Sequence, residues 1–304
     1  MPAPPPQGLA LKKPLWHPDP AVTVLEAIQR STEFLARKGV ESPRLQAELL
    51  LAHVLQLPRL KLYLQFDRVL TPAETDQLRE AVRRRGRREP IQYITGCAAF
   101  CGRDLRVTPH VLIPRPETEQ LAELGWTRLV AMPPPRLALD VGTGSGCLAI
   151  ALVEHCPDTR CLALDASPEA LQVARENVTA AGLTDRIELL LSHKLEAVPP
   201  QPRFDLIISN PPYIPSAEIP ALQPEVRDHE PRLALDGGPD GLDAFRWLAP
   251  EARSRVRPSG LLLVECGDGQ ADAVAALLRQ HNWIVTGIHP DYTQRPRFVE
   301  ARPG

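Results

Sequence analysis

The run Phe204-Asp205-Leu206-Ile207-Ile208-Ser209 is mostly apolar and strand-length, and it stops against Asn210-Pro211-Pro212-Tyr213. Runs of that length and composition read as buried strands. Neither proline has an N–H to donate, so strand pairing must end where they begin. The strand therefore feeds a stiff turn at the carboxyl edge of a sheet, which is where open α/β sheets bind ligands. Such a turn presents the Asn210 amide, two proline carbonyls and the flat face of Tyr213. Asn-Pro and Pro-Pro are also ordinary turn dipeptides, so this edge gains meaning only from the rest of the chain.

A proline triplet at 133–135 opens a regular alternation of strands and helices. Strands are expected at 137–141, 160–164, 186–191, 204–209 and 261–265, and helices at 147–155, 168–181, 242–256 and 270–281. Residues 283–288 and 297–301 form a closing antiparallel pair. This is a seven-stranded, doubly wound α/β domain over residues 133–304. Ahead of it, residues 21–88 carry apolar positions at helical spacing. Ser42-Pro43 is expected to cap and open one helix there, and the Thr71-Pro72-Ala73-Glu74 capping box another. A further short helix falls near 60–66. The segment is an all-helical bundle, whose natural role is docking or substrate recognition. It closes on Arg83, Arg84, Arg85, Arg87 and Arg88, which complement a helix C-terminus and face water, or else contact RNA. Residues 89–132 form a connector. In it, 91–94 and 100–107 are expected as short strands with a hairpin turn at Cys101-Gly102-Arg103-Asp104. The segment 111–113 should be an apolar strand set against the start of a helix over 118–130.

Composition narrows the function classes. Of the 304 residues, 43% are hydrophobic and 24% charged, with a formal net charge of −2. That balance is globular and argues against a protein held on nucleic acid by phosphate neutralisation. Six cysteines form no C-x-x-C pair and have no histidines at zinc spacing, so reduced thiols and no metal are expected. No apolar run is long enough to span a membrane. The first twenty residues hold seven prolines without an apolar stretch, and read as a disordered arm rather than a secretory signal.

The loop Gly142-Thr143-Gly144-Ser145-Gly146 lies between a strand and a helix and suits a phosphate or a nucleoside cofactor. A dinucleotide loop wants its third glycine three residues after the second, and a P-loop wants a Lys-Ser/Thr pair. Neither is present. Asp140, immediately before the loop, repels a pyrophosphate and favours a cationic ligand. Asp165, ending the next strand, is placed to accept both hydroxyls of a ribose. Together these meet the requirements of S-adenosylmethionine.

Further segments carry a family resemblance: Arg88-Glu89-Pro90-Ile91-Gln92-Tyr93-Ile94-Thr95-Gly96, Val111-Leu112-Ile113-Pro114-Arg115-Pro116-Glu117-Thr118-Glu119, His229-Glu230-Pro231-Arg232 and Asp236-Gly237-Gly238-Pro239-Asp240-Gly241-Leu242. With the glycine loop and the Asn-Pro-Pro-Tyr edge, they make the chain resemble the HemK/PrmC family, the release-factor glutamine N5-methyltransferases, from about residue 21 onward. The resemblance implies an N-terminal helical bundle and a hairpin linker, followed by a seven-stranded Rossmann-like class I methyltransferase domain. Its substrate would be a peptide chain release factor, methylated on a glutamine side-chain amide by a cytoplasmic, monomeric enzyme without stable nucleic-acid binding. Catalysis would rest on Asn210, Pro211 and Tyr213, which with Pro212 bind the substrate amide. Asp140, the five loop residues, Asp165, His193, Lys194 and Asn210 would hold the cofactor.

An amide nitrogen is a poor nucleophile because its lone pair is delocalised. The expected remedy is positioning by hydrogen-bond acceptors, without a dedicated base. Ser192-His193-Lys194 stands where the family usually places an Asp followed by an apolar residue, and Asp291-Tyr292-Thr293-Gln294-Arg295 lacks a usual glycine, whereas Arg297 matches a family arginine. Asn-Pro-Pro-Tyr is shared with adenine-N6 methyltransferases. Nucleic-acid or other-protein methylation therefore stays open beside release-factor methylation, as does a non-catalytic nucleotide-binding adaptor.

Overall fold

The structure is a computed structural model, and it describes residues 22–201 and 203–304. The arm expected over residues 1–20 lies outside the described residues. Two compact units divide the chain between Arg88 and Glu89.

The first unit is helical, with α1 (Val24–Arg37), α2 (Pro43–Leu55), the single turn α3 (Arg59–Leu62) and α4 (Pro72–Gly86). Thr23 and Thr71 each accept a hydrogen bond from the backbone of a glutamate three residues on, whose carboxylate accepts from the cap's own N–H, so both are reciprocal capping boxes. Ser42 does not cap α2. It adopts a left-handed φ of 47° in place of the extended backbone of a capping residue, its side chain makes no cap hydrogen bond, and Pro43 alone marks the start. The helix expected over 60–66 shrinks to α3. Among the terminal arginines, Arg85 is buried and donates to the Gln46 side chain at 3.0 Å, so the run is not one solvated face.

The second unit opens with α5 (Ile91–Thr95), β1 (Cys97–Phe100), β2 (Arg103–Arg106) and α6 (Pro116–Val130). The hairpin turns on Cys101 and Gly102, both at positive φ (48° and 78°), the two-residue geometry that matches strand twist. Two expectations fail here. Residues 91–94 are helical, because Pro90 opens a turn that Gly96 closes in the left-handed region. Val111 and Ile113 are buried but unpaired as strand, since the nearby Pro114 and Pro116 offer no N–H to a ladder.

The sheet and its flanking helices follow: β3 (Arg136–Val141), α7 (Cys147–His155), β4 (Thr159–Asp165), α8 (Pro168–Ala180), β5 (Ile187–Leu191), β6 (Phe204–Ser209), the short α9 (Pro224–Arg227), α10 (Asp243–Arg253), β7 (Val256–Glu265), α11 (Ala271–Gln280), β8 (Trp283–Pro290) and β9 (Pro296–Pro303). Strand order is β5-β4-β3-β6-β7-β9-β8, parallel except for β9, which runs antiparallel to both its neighbours. The order reverses between β3 and β6, and this is the topological switch point at which such sheets bind ligands. Alternation along β6 divides the core. Leu206 and Ile208 pack with α6 and α7 on one face, and Ile207 packs with α10 and α11 on the other. Strand β7 starts five residues before the expected 261, and α10 ends three residues before the expected 256. No helix among the described residues is long and apolar enough to cross a membrane.

Candidate active site

The glycine loop leaves β3 at the switch point. Gly142, Gly144 and Gly146 all take positive φ (75°, 55° and 83°), which glycine adopts without strain. A Cβ at Gly142 or Gly144 would meet no atom within 4 Å, so the loop's outer side is open space. Backbone N–H groups of Gly142 and Thr143 both donate to the Leu164 carbonyl at 2.9 Å, tying the loop to β4.

Asp140 lies fully buried beneath this loop. Its Oδ2 accepts from the Thr143 hydroxyl at 2.6 Å and from Ala149 N–H at 3.2 Å, while its Oδ1 has no hydrogen-bond partner. Burial pushes the carboxyl up to about 7; the Thr143 and Ala149 hydrogen bonds pull it down and the nearby Asp165 charge adds to the push. Asp165, ending β4, accepts from Gly144 N–H and Ser167 N–H, each at 2.9 Å, and burial raises its carboxyl above the ordinary carboxylate range. An open cradle, a second acid at the next strand end and a buried carboxylate oxygen with no partner all fit a cationic nucleoside ligand. Beyond β5 the expected contacts separate. Ser192 is buried, donating to the Lys194 carbonyl, whereas His193 is exposed against Glu196 at 3.0 Å. The Lys194 ammonium lies 6.0 Å from the Trp247 ring centre.

The Asn-Pro-Pro-Tyr turn follows β6 at the same sheet edge. Its shape is fixed from three sides. The Tyr213 carbonyl accepts from the Gln270 side chain at 2.9 Å. Gly237 and Gly241 press their backbones against it: a Cβ at Gly237 would stand 2.8 Å from Tyr213 Cα, and one at Gly241 2.3 Å from the Tyr213 carbonyl oxygen. Only glycine permits that approach, which gives the segment 236–242 its physical reason. Arg115, entering α6, donates to both oxygens of the buried Glu230 at 2.6 and 2.7 Å, so two segments that carry the family resemblance meet in one ion pair.

The side chains of Asn210 and Tyr213 converge on Thr118, Glu265 and Arg297, of which only Arg297 had been singled out by itself from the sequence. Asn210 Nδ2 donates to the Thr118 hydroxyl at 2.9 Å, and Thr118 donates to Glu265 Oε2 at 2.8 Å. Tyr213 O–H donates to Glu265 Oε1 at 3.2 Å and accepts from Arg297 at 3.1 Å, with the Arg297 guanidinium 5.4 Å from the ring centre. Glu265 has no solvent exposure. Burial pushes its carboxyl up to about 7, against the pull of Thr118, Arg297 and Tyr213. Thr118 was already inside a quoted segment, and Glu265 ends a strand at the edge where Asp140 and Asn210 lie. Strand-end position was the available signal for Glu265; for Thr118 it was a place in the first turn of α6.

Two family models match the chain: the PrmC N-terminal domain over residues 26–96 and the methyltransferase small domain over 127–224. A release factor glutamine methyltransferase of Geobacter sulfurreducens is 46% identical over 93% of this chain and 97% of its own length. The chain belongs to that family. A second release factor glutamine methyltransferase, from Moorella thermoacetica, is 43% identical over 92% of this chain and 98% of its own. The solved structure of a release-factor-specific protein-(glutamine-N5) methyltransferase from Alicyclobacillus acidocaldarius is 28% identical, covering 66% of this chain with a TM-score of 0.38. Membership of this methyltransferase family rests on the sequence identity, and the fold on the strand order itself.

Proposed function

We propose that this enzyme methylates the side-chain amide nitrogen of a glutamine in peptide chain release factors, with S-adenosylmethionine as donor. The observation that carries the proposal is the identity, above 40% and nearly end to end, to relatives named release factor glutamine methyltransferases. Asp140 and the loop residues Gly142, Thr143, Gly144, Ser145 and Gly146 would hold the donor's cationic part, and Asp165 its ribose. Lys194 and His193 would flank the adenine, with His193 the more exposed of the two. When bound, S-adenosylmethionine supplies a methyl group on a positively charged sulfur. The chain's own part is to orient the acceptor. Asn210 Oδ1 and the Pro211 carbonyl each accept one N–H of the glutamine amide, which aims the nitrogen lone pair at the methyl position. Pro212 keeps the turn stiff, and Tyr213 packs on the amide plane. The helical unit would recognise the protein substrate, and the enzyme would act as a cytoplasmic monomer without stable nucleic-acid binding.

The test is incubation with labelled donor and a mixture of release factors, ribosomal proteins and DNA. Label on a release-factor glutamine is expected; label on adenine or on another protein would overturn the substrate assignment. Asn210→Ala should lower kcat by roughly a hundredfold or more, since an acceptor working mainly in the transition state is removed. Asn210→Asp should fall between, and both should leave cofactor affinity nearly intact.

A further inference from the structure

Asn210 and Tyr213 both lead to one buried carboxylate. The groups around Glu265 come from several elements: Thr118 and Glu117 from α6, Tyr213 from the turn after β6, the neighbouring Cys266, and Arg297 from β9, whose guanidinium is 3.6 Å from Oε1. An ionised carboxylate can only accept hydrogen bonds. Thr118 has one O–H, and at 2.8 Å from Oε2 that proton is committed to Glu265. What Thr118 offers on its other side is a lone pair, and a lone pair can be met only by a donor. The Asn210 amide must therefore turn its Nδ2 toward Thr118, as it does at 2.9 Å, and its Oδ1 toward the other side. The opposite flip would set Oδ1 against the Thr118 lone pair and point an N–H outward.

We propose that Thr118 is a positioning residue that fixes which end of the Asn210 amide faces the substrate, with Glu265 dictating the direction in which Thr118 donates. The inference rests on Asn210 acting as the acceptor for the substrate N–H. An outward Nδ2 would confront the substrate N–H with a second donor, so the chemistry needs the flip that this relay enforces. The same carboxylate also accepts from Tyr213, whose ring is held beside Arg297. One buried charge thus orders both side chains proposed to grip the amide, from a residue that itself never reaches it.

The test uses the protein at about pH 8.5, above the value of about 7 to which burial pushes the Glu265 carboxyl. Thr118→Val keeps the shape and deletes the hydroxyl. It should lower kcat roughly tenfold to a hundredfold, with KM for the release factor and cofactor affinity unchanged. Thr118→Ser, which restores the hydroxyl, should return to within about threefold of the parent. The decisive arm is Asn210→Asp, whose carboxylate presents an oxygen whichever way it turns. In that background Thr118→Val should cost less than about threefold, because there is no flip left to fix. An equal loss in both backgrounds would overturn the inference, as would wild-type turnover by Thr118→Val. Melting temperatures of each variant separate a loss of folding from a loss of rate. If Asn210→Ala kept full activity, the acceptor assignment itself would fail. If that variant were inactive while Thr118→Val turned over normally, only the positioning role would fall.

Discussion

Two buried acids at one sheet edge make an instructive pair. Asp140 is the penultimate residue of β3 and Glu265 the last of β7, both have no solvent exposure, and burial pushes both up to about 7. Their hydrogen bonding differs. Asp140 is served by residues three and nine positions on, and one of its oxygens has no partner. Glu265 is served by residues 147 and 52 positions away, and both its oxygens are engaged. A buried carboxylate with an oxygen that no donor meets is a group that a ligand can complete, since an unmet buried acceptor is costly. A fully satisfied one has finished its bonding inside the protein and acts by holding others in place. The same degree of burial therefore serves two ends, and the partners tell them apart.

The largest expected effect is on stability against pH. Each acid is ordinarily ionised above about pH 4–4.5 in the unfolded chain, while burial holds its proton up to about 7 in the fold. The folded state then binds more protons within that window, so stability should fall as pH rises through it, by on the order of 3 kcal/mol for each acid. Urea unfolding from about pH 5 to 8 should show a shallower fall for Asp140→Asn and for Glu265→Gln than for the parent. Saturating S-adenosylmethionine should remove Asp140's share of the slope and leave that of Glu265. Removal of both, or of neither, would break the comparison.

Cofactor affinity sharpens it further. By calorimetry, Asp140→Asn should weaken S-adenosylmethionine binding by about 3 kcal/mol, the upper range for a hydrogen-bonded charge. Asp165→Ala should weaken it by roughly 1–3 kcal/mol, since hydroxyl acceptors are lost along with the tie to Gly144. Glu265→Gln should change it by less than about 0.5 kcal/mol. An effect of Glu265→Gln as large as that of Asp140→Asn would mean that the two acids share one ligand. Unchanged affinity in Asp165→Ala would remove the ribose assignment.

The same contrast explains what could be read from the chain beforehand. Strand β6 was legible residue for residue, because its apolar run is bounded by prolines that no ladder admits. The glycine loop and the Thr71–Glu74 capping box were legible because their partners lie within a few positions, whereas the Thr23–Glu26 box emerged only from the structure. Ser42 and the unpaired segment at 111–113 misled because composition matched an element whose backbone partner is missing. Thr118 and Glu265 were not recognisable as one device. Each is locally ordinary, a hydroxyl in a first helical turn and an acid at a strand end. Only the packing of α6 against β7 brings them within 2.8 Å. His193 was singled out by its position after β5, and its exposed ring lies 3.0 Å from Glu196.

Helix α6 begins in the stretch between the two matched family models, which end at residue 96 and resume at 127. Thr118 and Arg115 both fall in that gap, so the residues assigned to either module do not by themselves contain all the groups proposed to orient the acceptor. Exchange of modules between relatives would have to carry this interval along. A chimaera taking residues 127–304 from this chain would inherit Glu265, and with it a demand for a hydroxyl at the place of Thr118. Recombination inside the interval should therefore be tolerated only between parents that agree there, whatever their similarity elsewhere.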